Sequence, residues 1–420
     1  MQVCVLGAGV VGVTTAWYLQ QQGYKVTVID RQSGAGLETS FANGGQISVS
    51  HAEPWANPRT PAKILKWLLR EDAPLLFRLK ADLRQWLWGL NFLRECTPAR
   101  ARHNLTQLLS LGTFSRNTLQ ALRAQTGIEY DCLNKGIPHF YTSSQEFEAA
   151  VEVTQLMQEF GCGRQVMTPE QAVQIEPALQ TVRDKIVGAT YTAADESGDA
   201  HQFTQNLAKL CQKRGTEFLW NTCVHTLETG DEGKLDGIQI TRSNGTRETL
   251  RPDLCVVAMG SYSSLLLSPL GINLQIYPVK GYSATFQVER EELAYTTSLT
   301  DDEYKLVFSR LGDRLRVAGT AELNGYNLAL NTVRCEAIVN RVMELFPGAI
   351  TLASVQFWTG LRPSTPSNLP YIGTTRYSNL FVNTGHGTLG WTHACGSGKA
   401  ISDIITGRQP EVNFEFKQNL

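Results

Sequence analysis

The sequence predicts a mixed fold, α/β in one part and α+β in another. A strand at residues 3–6, a helix at about residues 10–22 and a strand at residues 25–29 form a βαβ opening. A continuously apolar, β-rich run at residues 254–258 is typical of a buried parallel strand. Alternating segments and a hairpin at residues 237–250 indicate antiparallel sheet as well.

The remaining elements follow from periodicity and turn residues. Helical periodicity runs over residues 61–125 and is interrupted at Asp72-Ala-Pro74, where Asp72 can cap and Pro74 can occupy a first helical turn. Further helices are predicted at about residues 144–160, 202–213, 332–345 and 392–406, and further strands at 136–141, 217–219, 223–227, 283–288 and 315–318. These elements are enough for two domains.

Composition limits the class of protein. With 42% apolar residues and a net charge of −1 over 420 residues, the chain resembles an ordinary globular enzyme and not a nucleic-acid-binding protein. Its nine cysteines are scattered without a CxxC pair, so we expect reduced thiols, no metal site and a cytoplasmic location. No uncharged apolar run approaches the roughly 20 residues that span a bilayer.

The strongest motif is a glycine turn between the first strand and the first helix. In Gly7-Ala-Gly9-Val10-Val11-Gly12, the glycines permit a tight turn, close approach of a pyrophosphate and close helix–strand packing. Asp30 ends the second strand, where a carboxylate can accept hydrogen bonds from a ribose. The sequence therefore predicts a Rossmann-like dinucleotide-binding domain.

Other segments favour FAD over NAD as the dinucleotide. Small and hydroxyl residues follow the second strand, an apolar strand ends at Gly260, and a second glycine-rich turn precedes the last predicted helix. The N–H groups of that turn could stabilise negative charge on a reduced flavin. Besides the residues named above, the predicted FAD contacts are Arg31, Thr39, Ser40, Asn43, Gly44, Gly45, Gln46, Ile47, Val224, Ser261, Gly385, His386, Gly387, Thr388, Leu389 and Gly390.

Taken together, these motifs resemble those of the D-amino-acid-oxidase-like flavoprotein superfamily. Segments 277–283 (YPVKGYS), 357–363 (FWTGLRP) and 383–391 (NTGHGTLGW) resemble more closely the small subunit of bacterial D-amino acid dehydrogenase. The resemblance implies oxidative deamination of D-amino acids to 2-oxo acids and ammonia, with electrons passed to a membrane quinone. It also implies a discontinuous FAD-binding domain with an inserted antiparallel-sheet substrate domain.

The predicted bounds of these domains follow the pattern of strands. Residues 1–55, 165–275 and 345–420 are assigned to the FAD-binding domain. Residues 56–164 and 276–344 are assigned to the substrate domain, including a basic and aromatic helical segment at 59–103.

Three residues are candidates for the substrate site. Arg362 matches the superfamily arginine that holds the substrate carboxylate, and a guanidinium can bind a carboxylate in a bidentate manner. The alternative for Arg362 is a surface ion pair. Tyr304 and Tyr282 are weaker candidates for a hydroxyl or lid over the substrate. His386 is assigned to the flavin-contacting turn, whereas the other histidines have no partners at ligand spacing and are expected to be structural.

Three other functions stay open at this point. The same fold serves amine oxidases of the glycine- or sarcosine-oxidase kind, which use dioxygen. A specialised D-hydroxyproline or proline dehydrogenase is a second alternative, and a flavin-binding scaffold without turnover is a third. The predicted partners are a small amino acid and a quinone-type acceptor, and a homo- or hetero-oligomer is left open.

A charge asymmetry adds a prediction about location. Residues 59–102 hold ten Lys/Arg and four acidic residues, which gives +6 against −7 for the rest of the chain. Basic and aromatic residues on helices are typical of a bilayer interface, although two core-packed helices with solvated basic faces would show the same pattern. We expect peripheral association with the cytoplasmic face of the inner membrane, through Trp67, Phe77, Trp86, Trp88, Phe92, Lys63, Lys66, Arg70 and Arg78.

Overall fold

The structure is a computed structural model that describes residues 1–67, 71, 73–230 and 233–420. Its helices are α1 (Val10–Gln21), α2 (Thr60–Trp67), α3 (Leu83–Glu95), α4 (Pro98–Thr126), α5 (Ser144–Glu159), α6 (Pro169–Ile175), α7 (Ala200–Lys213), α8 (Ser263–Leu267), α9 (Thr332–Leu345) and α10 (Gly390–Ile405). Its strands are β1 (Gln2–Leu6), β2 (Lys25–Ile29), β3 (Gln46–Ile47), β4 (Leu75–Phe77), β5 (Ile137–Tyr141), β6 (Arg164–Met167), β7 (Gly188–Thr192), β8 (Glu196–Ser197), β9 (Glu217–Leu219), β10 (Cys223–Thr229), β11 (Leu235–Thr241), β12 (Arg247–Leu250), β13 (Leu254–Val257), β14 (Tyr277–Gln287), β15 (Leu299–Asp301), β16 (Leu306–Leu311), β17 (Arg314–Leu323), β18 (Gln356–Ser364), β19 (Tyr371–Thr374) and β20 (Leu380–Thr384).

A six-stranded sheet forms the first half of the fold, in the order β19-β20-β13-β1-β2-β9. The strands from β20 to β9 are parallel, and β19 pairs antiparallel at one edge. Successive side chains of β1 point to opposite faces. Val3 and Val5 pack with α1 and α7, while Cys4 and Leu6 pack toward the small sheet β10-β11-β12. The predicted mixed fold with a Rossmann-like half is thereby confirmed.

A nine-stranded, mainly antiparallel sheet forms the second half. Eight strands follow the order β18-β14-β17-β16-β15-β5-β7-β6, and β4 pairs in parallel with β17. One face buries an apolar cluster against α9, for example Phe308 and Val317 at 0% exposure with Ile338 of the helix. The other face turns small and polar residues, such as Thr300 and Ala318, toward a cavity.

The predicted helices and strands are present, most with ends shifted by no more than two residues. Strands β14 and β17 are longer than predicted, because each pairs along most of its length with two neighbours that the local pattern does not show. The prediction for Pro74 is wrong, since residues 75–77 form strand β4 and the Pro74 carbonyl accepts a hydrogen bond from Ala321 N–H (2.7 Å). Asp72, the predicted cap, lies outside the described residues.

Strand pairing also bears on how the two halves are assembled. Strands β7 and β18 lie within segments assigned to the FAD-binding domain, yet they pair in the nine-stranded sheet. Helix α4 lies within the other assignment, yet it packs on α10, where a Cβ on Gly396 would lie 2.7 Å from Ser115. The chain therefore crosses between the halves more often than the predicted bounds suggest. As a division into domains, those bounds stay a prediction.

Candidate active site

A cavity of about 780 Å³ is lined by residues from both large sheets. All of the predicted FAD contacts line it except Gly12 and Ile47. Arg362 and Tyr282 line it as well, and Tyr304 does not. The structure therefore brings together, around one elongated space, segments that are up to about 380 residues apart in the chain.

The three glycines of the N-terminal turn have different surroundings. Gly7 has φ +103°, and a Cβ there would lie 2.6 Å from the Ala258 carbonyl oxygen. A Cβ on Gly12 would lie 1.9 Å from the Gly7 carbonyl oxygen, so Gly12 allows α1 to pack on the turn. A Cβ on Gly9 would meet only Ser40 Oγ, at 3.6 Å. Gly7 and Gly12 are thus required by the fold, whereas Gly9 leaves space for a ligand.

Asp30 is held in place at the end of β2. Its Oδ2 accepts from Ala8 N–H (2.6 Å) and its Oδ1 from Gln32 N–H (2.8 Å). Burial raises the pKa of Asp30, and these two N–H groups oppose that shift. Arg31 is fixed beside it, because its guanidinium lies 4.0 Å from the Tyr262 ring centroid and pairs with Glu38 at 2.6 Å. A rigid carboxylate at this position can accept hydrogen bonds from a ribose.

The loop between β2 and β3 lines the cavity and contacts the nine-stranded sheet. A Cβ on Gly44 would lie 2.5 Å from Val307 Cγ2, and the Gly44 carbonyl accepts from Ser309 Oγ (2.6 Å). Thr39 Oγ1 and Ser261 Oγ both donate to the Leu361 carbonyl, at 2.9 and 3.1 Å. Two hydroxyls that were predicted to contact the cofactor therefore also hold the strand that carries Arg362.

The second glycine-rich turn also lines the cavity. Gly385 and Gly387 have φ of +83° and +52°, and α10 starts at Gly390 without a side-chain cap. Uncapped N–H groups at a helix start favour a negatively charged ligand. His386 is buried and its Nε2 contacts Ser397 Oγ at 2.9 Å. Burial lowers the pKa of His386 to about 3, so the imidazole is neutral at pH 7.

Arg362 extends from β18 over the backbone of Gly281. A Cβ on Gly281 would lie 2.4 Å from Arg362 Cζ, so only glycine leaves room for the guanidinium. Arg362 Nη1 donates to the Thr320 carbonyl (2.7 Å). Among the described residues no carboxylate lies within ion-pair distance, which excludes the alternative of a surface ion pair there. Burial and then Arg334 lower the pKa of Arg362 to about 10. A partly buried, unpaired guanidinium on a cavity favours an anionic ligand.

The two tyrosines differ in their position. Tyr282 is 1% exposed and its hydroxyl donates to Glu322, which also pairs with Lys280 Nζ at 3.1 Å. This hydroxyl is therefore engaged within the protein. Tyr304 is 45% exposed and packs under the Arg341 guanidinium at 3.9 Å, on the side of the sheet that α9 covers. The structure does not place Tyr304 over the cavity.

Polar residues that the sequence analysis overlooked line the same cavity. His139 Nδ1 lies 2.8 Å from Asp302 Oδ2, and Lys305 Nζ lies 2.9 Å from Asp302 Oδ1. His51 and Glu53 lie close by. The two histidines were expected to be structural because their partners are distant in sequence. The signal that could have indicated this group is the alternation of Thr300 and Asp302, which places two polar side chains on one face of a strand.

The chemistry of this cavity defines a class of protein. The cavity is lined by a glycine turn of the dinucleotide-binding type, a carboxylate placed where it could accept from a ribose, an uncapped helix start, and a guanidinium without an ion-pair partner among the described residues. These features fit a flavoprotein that acts on a carboxylate-bearing substrate.

Comparison with known proteins gives the family. The chain belongs to the FAD dependent oxidoreductase family, which matches residues 2–404, and its cofactor is FAD. It is 54% identical to the D-amino acid dehydrogenase of Dechloromonas aromatica (strain RCB), over 99% of each chain, and 49% identical to that of Paramagnetospirillum magneticum over 99% of this chain and 97% of the relative.

Solved structures show the fold independently. Glycine oxidase from Geobacillus kaustophilus superimposes with a TM-score of 0.76 at 19% identity, covering 100% of this chain and 98% of the other. L-Proline dehydrogenase from P. horikoshii superimposes with a TM-score of 0.75 at 17% identity, covering 98% and 94%. At these identities the likeness concerns the fold alone.

Proposed function

We propose that this protein is a D-amino acid dehydrogenase, which uses FAD to convert D-amino acids to 2-oxo acids and ammonia and passes the electrons to a quinone-type acceptor. The observation that carries the substrate class is the unpaired Arg362 guanidinium on the cavity. The relatives at 54% and 49% identity, both named D-amino acid dehydrogenase, support the reaction.

The chain's own residues bind and orient the reactants. The turn at Gly9 would hold the pyrophosphate of FAD, the Asp30 carboxylate its adenosine ribose, and the helix start at Gly390 its flavin ring. When bound, FAD supplies the acceptor for the hydride that leaves the substrate Cα. Arg362 holds the substrate carboxylate, which fixes Cα relative to the cofactor. A neutral amine needs no strong base for this step, which agrees with the neutral His386.

Anaerobic flavin bleaching tests the reaction. Purified protein mixed with D-alanine is expected to lose its visible flavin band, whereas L-alanine should leave the band unchanged. D-Proline and glycine in the same series address the specialised proline dehydrogenase and the glycine oxidase alternatives. If glycine alone bleached the flavin, the substrate class would be wrong, and if no amino acid did so, the scaffold alternative would return.

The electron acceptor is tested separately. We expect fast reduction of a short-chain ubiquinone analogue by the D-alanine-reduced protein and little hydrogen peroxide in air. A peroxide yield equal to the D-alanine consumed, with no quinone reduction, would instead identify an oxidase.

Helix α3 offers a surface suited to a membrane. Its exposed apolar side chains recur every three or four residues and therefore lie on one face. They are Leu83 (72%), Trp86 (52%), Leu87 (45%), Leu90 (49%) and Leu93 (50%). Arg84 and Arg94 lie on the same helix, and the described part of the chain has no helix apolar and long enough to span a bilayer. This face supports peripheral association with the cytoplasmic side of the inner membrane.

The structure changes which residues of segment 59–103 are expected to contact the membrane. Trp88 and Phe92 are buried on the inner face of α3, so their predicted place at the headgroups is wrong. Trp67 lines the cavity, and Lys63 and Arg78 pair with Glu146 (2.7 Å) and Glu71 (2.6 Å). Arg70 lies outside the described residues.

Liposome co-sedimentation tests this surface. The double variant Trp86→Ser, Leu90→Ser is expected to lose most of its binding to anionic liposomes at low salt, because the exposed apolar face is removed. Leu352→Ser alters an equally exposed leucine (51%) elsewhere and should bind like the wild type. Binding that is absent in the wild type, or unchanged in the double variant, would contradict the proposal.

A further inference from the structure

The cavity continues past Arg362 into a group of ionisable residues that the reaction above does not use. We call His51, Glu53, His139, Asp302 and Lys305 the distal cluster. His139 is 2% exposed, and its buried Nε2 has no hydrogen-bond partner in the described part of the chain. The His51 and His139 ring centroids are 5.6 Å apart.

Strand register gives the separation of the distal cluster from Arg362. The guanidinium lies beside Thr320 on β17, and β16 pairs with β17 so that Leu306 is opposite Gly319. Lys305 is therefore one strand away from the guanidinium, and Asp302, the residue that follows β15, is two strands away. At about 4.8 Å per strand, the Arg362 guanidinium and Asp302 are roughly 10 Å apart. A D-amino acid with a long side chain, held by its carboxylate at Arg362, can span this distance.

The two carboxylates of the distal cluster differ in their partners. Asp302 accepts from His139 and Lys305, and although burial opposes it, these partners hold the pKa of Asp302 well below its usual range. Glu53 receives only a 3.3 Å hydrogen bond from Asn57 Nδ2 and has no cation within ion-pair distance among the described residues. The Glu53 side chain is exposed, and it lines the cavity.

The nearby Arg164 does not neutralise Glu53 directly. Its guanidinium is 4% exposed and donates to Thr190 Oγ1, the Tyr141 hydroxyl and the Ser50 carbonyl. All of these partners are uncharged groups that surround the guanidinium. Among the described residues on this part of the cavity, Glu53 is therefore a carboxylate that can still take a cationic partner.

We propose that the distal cluster, through Glu53, binds the cationic end of the substrate side chain, so that the site accepts D-amino acids with an ammonium or guanidinium group at the end of a long chain. This inference rests on the proposed function, because it places the substrate carboxylate at Arg362. It adds a second anchoring point, which discriminates between side chains of equal length by their charge.

Steady-state kinetics with matched substrates test the proposal. D-Norleucine has the carbon chain of D-lysine without the terminal ammonium. Glu53→Gln is expected to lower kcat/KM for D-lysine about ten- to hundred-fold, while that for D-norleucine and D-alanine changes less than about two-fold. Lys305→Met should act in the opposite direction and raise the ratio of kcat/KM for D-lysine to kcat/KM for D-norleucine. It removes a positive charge that lies close to the Asp302 and Glu53 carboxylates.

A binding measurement without turnover complements the kinetics. 6-Aminohexanoate and hexanoate differ only in the terminal ammonium, and both should perturb the flavin spectrum by binding at Arg362. We expect the aminated ligand to bind more tightly in the wild type and to lose that advantage in Glu53→Gln. The control Glu148→Gln removes an exposed glutamate that does not line the cavity and should behave like the wild type.

Two results would overturn the inference. One is a Glu53→Gln variant in which the ratio of kcat/KM for D-lysine to kcat/KM for D-norleucine is unchanged. The other is an equal loss of kcat/KM for D-lysine, D-norleucine and D-alanine. Bleaching by D-alanine in the same preparations reports on the proposed function alone, so its failure is recognised separately.

Discussion

Arg362→Lys is expected to lower kcat/KM for D-alanine, with a loss of transition-state stabilisation of about 2–4 kcal/mol. The FAD content should be nearly unchanged. Lysine keeps the positive charge but loses the planar, two-pronged contact that a guanidinium makes with a carboxylate. It also loses the hydrogen bond to the Thr320 carbonyl that aims the guanidinium over Gly281. The measurement is steady-state kinetics together with the ratio of flavin to protein absorbance.

Two further variants define what the result means. Arg251→Lys alters an exposed arginine that does not line the cavity and should leave kcat/KM unchanged. Arg362→Ala should lose at least as much activity as Arg362→Lys. Kinetics like those of the wild type in Arg362→Ala would show that another residue holds the substrate carboxylate.

Gly9→Val is expected to yield a folded protein without flavin. Gly9 has an ordinary extended backbone (φ −69°, ψ 175°), and a Cβ there meets no atom closer than 3.6 Å. The fold can therefore accept valine, but its methyl groups occupy the space into which a pyrophosphate must come. The visible absorbance of the purified protein and its thermal unfolding in the absence of FAD measure the two effects independently.

The neighbouring glycine provides a contrast. Gly12→Val should fail to fold, because its Cβ alone would lie 1.9 Å from the Gly7 carbonyl oxygen. Gly163→Val, at a loop glycine with open space around it, should fold and be yellow like the wild type. A Gly9→Val protein that kept a full complement of FAD would refute the assignment of this turn to the pyrophosphate.

A structural feature can be predicted from the sequence where one short segment contains all the residues that determine it. The βαβ opening combines apolar periodicity with glycines at the spacing that a tight turn between a strand and a helix requires. All three of its elements lie within the first 30 residues. Arg362 was found because its neighbours Gly360 and Pro363 form a recognisable motif. Its cavity position then depends on Gly281, which lies on the adjacent strand β14.

Sequence reasoning failed where a role depends on a partner distant in the chain. His139 and Asp302 are 163 residues apart, and nothing near either one indicates that the two form a hydrogen bond. Trp88 and Leu87 are equally plausible as membrane contacts in the sequence, but α3 turns Trp88 inward to donate to the Ser364 carbonyl (2.8 Å). Strand β4 is only three residues long, and its pairing with β17 is not visible in its own pattern.

The order of strands in the six-stranded sheet has a consequence for biosynthesis. Strand β13 pairs with β1 on one side and with β20 on the other, and helix α1 is covered by α10, where Thr14 Oγ1 donates to the Ala394 carbonyl (2.9 Å). The first 30 residues emerge early from the ribosome, whereas β13 ends at Val257 and α10 at Ile405 of the 420-residue chain. Contacts of such long sequence separation form slowly. The N-terminal βαβ segment therefore keeps part of its apolar surface uncovered until β13 and α10 have been synthesised.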